Sequence, residues 1–430
     1  MSSARSNWLR SFSCLLQASS SSLLASFQSR HACSKSEGAS SLGAWLAAIA
    51  TEVLRKCCMA LRTSAGVTLR GAGDFHVHLR QSPQLREAVV HTAAQFDTAV
   101  VMPNTNPPIR TVAEALQYKE SIDASVPSSL SFSPLHALYV TTESTTPAEV
   151  FRVHQSPHVI GFKLYPQGAT TNSDRGVAGI ASGSLDDALA EMERLGVPLL
   201  VHAESGRQDV DVFDREAHFL RNELSPVLER FPSLRVVVEH ITTKDAVTFV
   251  MSAGSNVAAS VTAHHCLINR NHLLGGALRP HHFCKPVAKR EEHRKALLDA
   301  IATGSPKLYL GTDSAPHARG DKEAACGCAG VFTAHAALEL YAEAFESIDA
   351  LHLLPQFACE NAFRFHGLPR PGEDGSPIRE ASEITLRRAQ RRVPDEYPFA
   401  SGSSGTTGGV VPFRAGEDLQ WTASAARSNS

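Results

Sequence analysis

Through the middle of the chain, short apolar runs alternate with longer amphipathic stretches. The runs are Thr98–Met102, Leu135–Val140, Val159–Leu164, Pro198–His202, Arg235–His240, Val257–Thr262 and Lys307–Gly311. Each is too short for a helix and too continuously apolar for a strand with one wet face, so each predicts a strand buried on both sides. Between them, Thr111–Ala124, Leu185–Leu195, Asp214–Arg230 and Glu291–Thr303 space their apolar residues as an amphipathic helix does. Strands covered on both faces and joined through helices run parallel. With Asp74–His78 as a first strand, about eight such units over ~250 residues predict a (β/α)8 barrel. Its limits on this reading are residues 59 and 368.

The two ends of the chain read differently. Residues 1–58 are rich in serine, and the first 36 carry Arg5, Arg10, Arg30 and Lys35 without one Asp or Glu. That composition predicts a disordered presequence addressed to a mitochondrion or plastid. Met59 offers an internal start, which would leave the protein in the cytoplasm. After Leu368 the chain turns polar, and residues 369–430 predict an extension. It consists of a Gly/Ser-rich linker over Phe399–Gly409 and a short apolar element, Val410–Phe413, packed back on the barrel.

Composition narrows the function without naming it. Of 430 residues, 43% are hydrophobic and the net charge is −2, so nothing marks a nucleic-acid or anionic-membrane surface. No apolar run approaches the ~20 residues that span a bilayer. The nine cysteines are scattered without zinc-ribbon or thioredoxin spacing and read as reduced thiols.

The chemistry collects at strand ends, where barrels of this type carry their active sites. The first strand ends in His76-Val77-His78, and the fourth holds Lys163 inside an apolar run. The fifth ends at His202, the sixth at Glu239-His240 and the eighth at Thr312-Asp313. Lys163 and His202 are 39 residues apart and His202 and His240 are 38 apart, one repeat each; His240 to Asp313 is 73, about two repeats. Equivalent positions on successive strands project into one cavity. Side chains alternate along a strand, so His76 and His78 share a face. Four imidazoles and a carboxylate suit a borderline cation such as Zn2+. A buried ammonium among them is unfavourable unless it loses its proton. A neutral lysine amine adds CO2 to form a carbamate, whose two oxygens can bridge two cations.

These positions resemble the binuclear amidohydrolases, and longer stretches narrow the resemblance to the class II, single-function dihydroorotases. The matching runs include His76-Val77-His78-Leu79-Arg80, Met102-Pro103-Asn104, Lys163-Leu164-Tyr165-Pro166, Glu239-His240-Ile241-Thr242, Asn269-Arg270-Asn271-His272, Gly311-Thr312-Asp313-Ser314-Ala315-Pro316-His317 and Cys326-Gly327-Cys328-Ala329-Gly330. The resemblance runs from about Gly73 to Trp421.

The resemblance implies two Zn2+ ions per subunit. His76, His78 and Asp313 would hold one, His202 and His240 the other, and N6-carboxylysine at Lys163 would bridge them. It further implies that Arg80, Asn104 and His317 bind a substrate carboxylate, a task suited to a guanidinium fork. His78 and the backbone at Lys285 and Ala329 would meet the substrate, with Thr170 and Thr171 on a loop that closes over it. The implied reaction is the reversible, zinc-dependent cyclisation of N-carbamoyl-L-aspartate to (S)-dihydroorotate with loss of water, the third step of pyrimidine synthesis. Asp313 would serve as the acid–base, and the protein would be a homodimer. Lys285 departs from bacterial members, which often carry an apolar residue there, and the segment Pro369–Gly409 has no clear counterpart.

Two other readings remain open on sequence. One is another cyclic amidohydrolase, such as a hydantoinase or dihydropyrimidinase, although its substrates lack the ring carboxylate that Arg80, Asn104 and His317 would hold. The other is a catalytically inactive barrel serving as a scaffold, although such a protein need not keep all six metal positions filled.

Overall fold

The computed structural model describes residues 66–81, 84–398 and 408–426. The presequence reading and most of the linker reading fall outside these residues. Strands β2 (Gly73–Val77), β3 (Thr98–Val101), β4 (Ser133–Tyr139), β5 (Val159–Leu164), β6 (Leu199–Val201), β7 (Val236–Val238), β8 (Val257–Val261) and β9 (Leu308–Leu310) form one parallel sheet in chain order. The chain just beyond β9 closes it: the Asp313 amide donates to the His76 carbonyl at 2.8 Å, and the His78 amide donates to the Ser314 carbonyl at 3.0 Å. The fold is thus the (β/α)8 barrel read from the apolar runs. Each predicted strand is present, with its ends shifted by no more than two residues.

Inside the barrel the lower layer is apolar, with Phe75, Val100, Ala137, Leu200, Val237, Ala258 and Tyr309 packed together. Two residues beyond Leu200, Val237 and Ala258, on the same strand faces, stand His202, Glu239 and Ser260. The filling therefore changes from hydrocarbon to titratable groups toward the C-terminal ends. A larger apolar cluster lies between the strands and the surrounding helices. Helix Val112–Asp123 starts from a capping box, in which Thr111 accepts the Glu114 amide and Glu114 accepts the Thr111 amide. The predicted helix Asp214–Arg230 is broken into Arg215–Phe219, a π-turn at Leu220–Leu224 and Ser225–Arg230. Pro226 has no amide hydrogen with which to continue the ladder.

The C-terminal region is more ordered than its polar composition suggests. Strands β10 (Glu383–Arg392) and β13 (Asp418–Ala426) pair antiparallel, and β1 (Val67–Arg70) adds to the free edge of β10. Residues inside the expected barrel segment thus belong to a second, three-stranded sheet. Leu386, Leu419 and Trp421 are fully buried there, and the Trp421 indole donates to Glu346 at 3.1 Å. Strand β11 (Tyr397–Pro398) pairs with β12 (Gly409–Val410). Phe413 is buried, and its amide donates to the Phe332 carbonyl at 2.8 Å. The five cysteines among the described residues are free. No helix among those residues is long and apolar enough to cross a membrane.

Candidate active site

At the C-terminal mouth of the barrel a pocket is lined by His76, His78, Arg80, Asn104, Tyr165, Thr170, Thr171, His202, His240, Lys285, Asp313 and Ala329, among others. These residues come from strands and loops spread along the chain from His76 to Ala329, and the barrel brings them together. Lys163 and His317 do not line the surface itself. Lys163 is fully buried below it, and His317 stands behind Arg80, its Nε2 2.9 Å from Arg80 Nη2.

His76, His78 and Asp313 place one donor atom each within 4.8 Å of one another. Asp313 Oδ1 lies 3.1 Å from His78 Nε2 and 3.5 Å from His76 Nε2. Burial alone would raise the Asp313 carboxyl, but the hydrogen bond from His78 and the charges of His76 and His78 outweigh it and hold the group below its ordinary range. Opposite, His202 Nδ1 and His240 Nε2 face each other at 3.3 Å. Burial lowers both imidazoles, with Lys163 acting on each in the same direction, so both rings are neutral near pH 7.

Carboxylates behind the rings decide which nitrogen keeps its proton. Glu204 sits 2.9 Å from His202 Nε2, and Glu239 sits 2.9 Å from His76 Nδ1. Glu204 fixes the N–H on His202 Nε2 and leaves the Nδ1 lone pair facing the pocket, while Glu239 sets a carboxylate beside His76 Nδ1. Glu239 also accepts a hydrogen bond from Ser260, whose oxygen takes the His240 amide at 2.7 Å. Asp74 braces the site from a lower layer. It accepts from the Thr312 hydroxyl at 2.6 Å, the Thr312 amide at 2.9 Å and the His76 amide at 3.1 Å. This ties the first strand to the residue before Asp313. The burial that surrounds Asp74 pushes its pKa up to about 7 despite those bonds.

The donor set fits metal ions. Two lone-pair nitrogens and a carboxylate converge on one side and two lone-pair nitrogens on the other. Close enough to act electrostatically on Asp313, His202 and His240 is Lys163, whose buried Nζ has no hydrogen-bond partner. Burial pulls this ammonium down to about 8, against the opposing charges of Glu239 and Asp313. A neutral fraction of amine is therefore present near pH 7, as carbamate formation requires.

The outer region of the pocket is built from loops. Arg80 has a left-handed backbone (φ 62°), held by the Tyr118 hydroxyl on its carbonyl, and its Nε donates to the Pro316 carbonyl at 3.0 Å. Asn104 Nδ2 donates to the Thr171 carbonyl at 3.1 Å, Asn172 Nδ2 returns a bond to the Asn104 carbonyl at 2.9 Å, and the Thr171 hydroxyl reaches the Ala329 carbonyl at 3.4 Å. The Thr170–Ser173 loop is thus latched across the mouth. Arg80, His240 (φ 40°), Asp313 (φ 47°) and Asn172 (φ 57°) are four of the six non-glycine residues with positive φ among the described residues. Such strain concentrates where function fixes the backbone.

Every site residue expected from sequence is in or against this pocket. Reading the sequence missed the residues behind the ligands: Glu204, Ser260, Asp74, Tyr118 and Asn172. For Glu204 and Asp74 a signal was present, since each stands two residues from a ligand histidine, Asp74 on the same strand face as His76 and Glu204 just past the strand that ends at Val201. Tyr118 lies on a helix and carried none.

Comparison with known proteins agrees with this geometry. The amidohydrolase family profile matches residues 67–373. The dihydroorotase of Stutzerimonas stutzeri (strain A1501) is 51% identical over 358 residues, which cover 83% of this chain and 98% of that protein. The dihydroorotase of Azoarcus sp. (strain BH72) is 49% identical over 355 residues, with the same coverage. The crystal structure of dihydroorotase from Campylobacter jejuni superposes with a TM-score of 0.74 at 32% identity, covering 84% of this chain and 98% of that one. The chain therefore belongs to the amidohydrolase family and, within it, to the monofunctional dihydroorotases.

Proposed function

We propose that the pocket closes N-carbamoyl-L-aspartate to L-dihydroorotate, and opens it again, with two zinc ions held as the donor set suggests. His76, His78 and Asp313 would bind one ion, His202 and His240 the other, and Lys163 would bridge them as its carbamate. The observation that carries this reading is the orphaned Lys163 amine, fully buried where imidazoles from three strands converge. A carbamate removes the positive charge that would repel cations and supplies two anionic oxygens. When bound, the metals polarise the amide carbonyl and lower the pKa of water.

The protein's own groups do the rest. Asp313, held ionised beside His76 and His78, takes a proton from the attacking water and returns it to the ring nitrogen as the amide opens. In cyclisation it carries the proton the other way. Arg80 meets the substrate carboxylate, flanked by Asn104. His317 Nε2 lies 2.9 Å from both Arg80 Nη2 and the Ala329 carbonyl. Burial, reinforced by Arg80, lowers its pKa to about 2, so the ring is neutral. A single ring nitrogen cannot accept from Arg80 and donate to Ala329 at once. A carboxylate that engages Arg80 releases His317 to donate to Ala329, so binding relieves a mismatch already present. The loop bearing Thr170 and Thr171 excludes bulk water during the reaction.

The test is an assay of both directions on metal-stripped protein, before and after Zn2+ is restored. We expect cyclisation favoured at acidic pH, hydrolysis at alkaline pH, and neither without metal. Zinc-loaded protein that processes hydantoin or dihydrouracil but not dihydroorotate would overturn the assignment of substrate. On the family resemblance the enzyme is a homodimer, which sedimentation would check. On composition, residues 1–58 are an organellar presequence, which a fluorescent fusion of that segment would check.

A further inference from the structure

A second cluster of metal-capable side chains lies apart from the six residues assigned above. Strand β8 ends at Val261, and the chain continues through Thr262 into His264 and His265, both buried. Cys284, buried as well, comes from the segment that leads to Lys285 and Pro286. One donor atom each from His264, His265 and Cys284 lies within 4.8 Å of the others. Cys284 Sγ and His265 Nε2 are 3.5 Å apart, about the separation of two ligands on one tetrahedral zinc with bonds of roughly 2.0–2.3 Å.

His264 is the independent sign of a missing ligand. It is fully buried, and neither Nδ1 nor Nε2 has a hydrogen-bond partner. A buried imidazole with both nitrogens unsatisfied costs a few kcal/mol. Its ring centroid lies 4.4 Å from that of His265, and the Phe413 ring stands 6.5 Å away on another side.

His265 is set up to change its tautomer. Its Nε2 lies 2.9 Å from the Pro286 carbonyl, which can only accept, so Nε2 holds the proton in the metal-free state. Its Nδ1 lies 2.7 Å from the Thr262 hydroxyl, which can donate or accept. If the proton moves to Nδ1, the hydroxyl turns to accept it and Nε2 is left free for a cation. A ligand histidine with its second nitrogen bonded to protein is the usual arrangement at structural metal sites. Cys284 Sγ, 3.3 Å from the same Pro286 carbonyl, would surrender its proton to solvent and bind as thiolate.

We propose that His264, His265 and Cys284 form a third metal site of N2S composition, selective for zinc over the hard cations. Its role is structural. Cys284 is covalently joined to Lys285, which lines the catalytic pocket, so an ion here pins the segment that presents Lys285 to substrate. This site does not depend on how many ions the catalytic centre holds, because no ligand assigned there is sulfur.

That difference provides the test. Full-length protein purified from cobalt-supplemented cells should show a near-ultraviolet thiolate-to-cobalt charge-transfer band. Cys284→Ser should abolish the band while leaving the visible transitions of nitrogen- and oxygen-bound cobalt. His264→Gln should lower the metal content by one equivalent. If Cys284→Ser does not fold, the His264→Gln comparison decides alone. Absence of the band from the wild-type protein would overturn the proposal, and so would its persistence in Cys284→Ser or an unchanged metal content in His264→Gln. Loss of catalytic activity with the band intact would count against the binuclear reading instead.

Discussion

The metal-facing and substrate-facing ends of the pocket draw on different regions of the chain. At the metal-facing end His76, Lys163, His202 and His240 sit on barrel strands or one to two residues beyond them, and the parallel ladder sets their spacing. On the same framework Glu204 and Glu239 stand against the His202 and His76 rings, and Ser260 holds the His240 backbone amide. At the substrate-facing end Arg80, Asn104, Thr171, His317 and Ala329 are all loop residues, and they hold one another through four hydrogen bonds or close polar contacts. The first end is rigid because the barrel is rigid. The second is ordered by contacts that substrate can replace, which suits a clamp that must open and close. Perturbing the first should therefore change turnover or metal content, and perturbing the second should change KM.

The largest break in this contrast should come from Lys163→Ala. Without the proposed bridging anion, the imidazoles of the proposed two-zinc centre would face the cations with only Asp313 to balance them. We expect a loss of several kcal/mol in transition-state stabilisation, ~10³-fold or more in kcat, with metal content reduced. A variant with normal turnover would remove the carbamate from the mechanism. Next is Arg80→Ala, which removes the guanidinium proposed to meet the substrate carboxylate. Such bonds are worth about 2–3 kcal/mol, so KM for N-carbamoyl-L-aspartate should rise roughly 30- to 150-fold with metal content unchanged. An effect on kcat alone would place Arg80 at the wrong end of the pocket.

The same contrast explains what was legible in the sequence. The barrel and its strand-borne ligands could be read because both follow from periodicity: apolar runs mark the strands, and the repeat length fixes which strand ends meet. Lys163 stood out because it interrupts one of those runs. Arg80, Asn104 and His317 had no periodicity to betray them and were reached only through resemblance to a family. Strand β10 was missed for another reason. Its buried residues, Ile384 and Leu386, are followed by Arg387 and Arg388, and the strand buries one face only. Its arginines pair with Glu346, Glu339 and Asp418, contacts that no local pattern announces. Tyr118 and Glu239 hold catalytic residues without touching substrate, so their roles appear only once the neighbours are placed in space.

Glu239→Gln tests the supporting layer of the rigid end. The amide can still accept from Ser260, but it no longer places a negative charge 2.9 Å from His76 Nδ1. Loss of such a partner lowers metal affinity ~10–100-fold, so chelator titration should strip this variant first, while KM in excess zinc stays near that of the wild type.

Tyr118→Phe is the corresponding change at the loop-built end, and its effect should be the smallest. The ring remains packed, and only the hydroxyl's bond to the Arg80 carbonyl is lost. One neutral hydrogen bond contributes about 1 kcal/mol, enough to let Arg80 relax from its left-handed conformation in a fraction of the population. KM should rise about fivefold with kcat and metal content unchanged, because nothing at the strand-built end depends on Tyr118. A matching fall in kcat would show that the two ends are coupled through Arg80 and His78, two residues apart on one chain, and that the division between a rigid metal end and an adaptable clamp is too sharp.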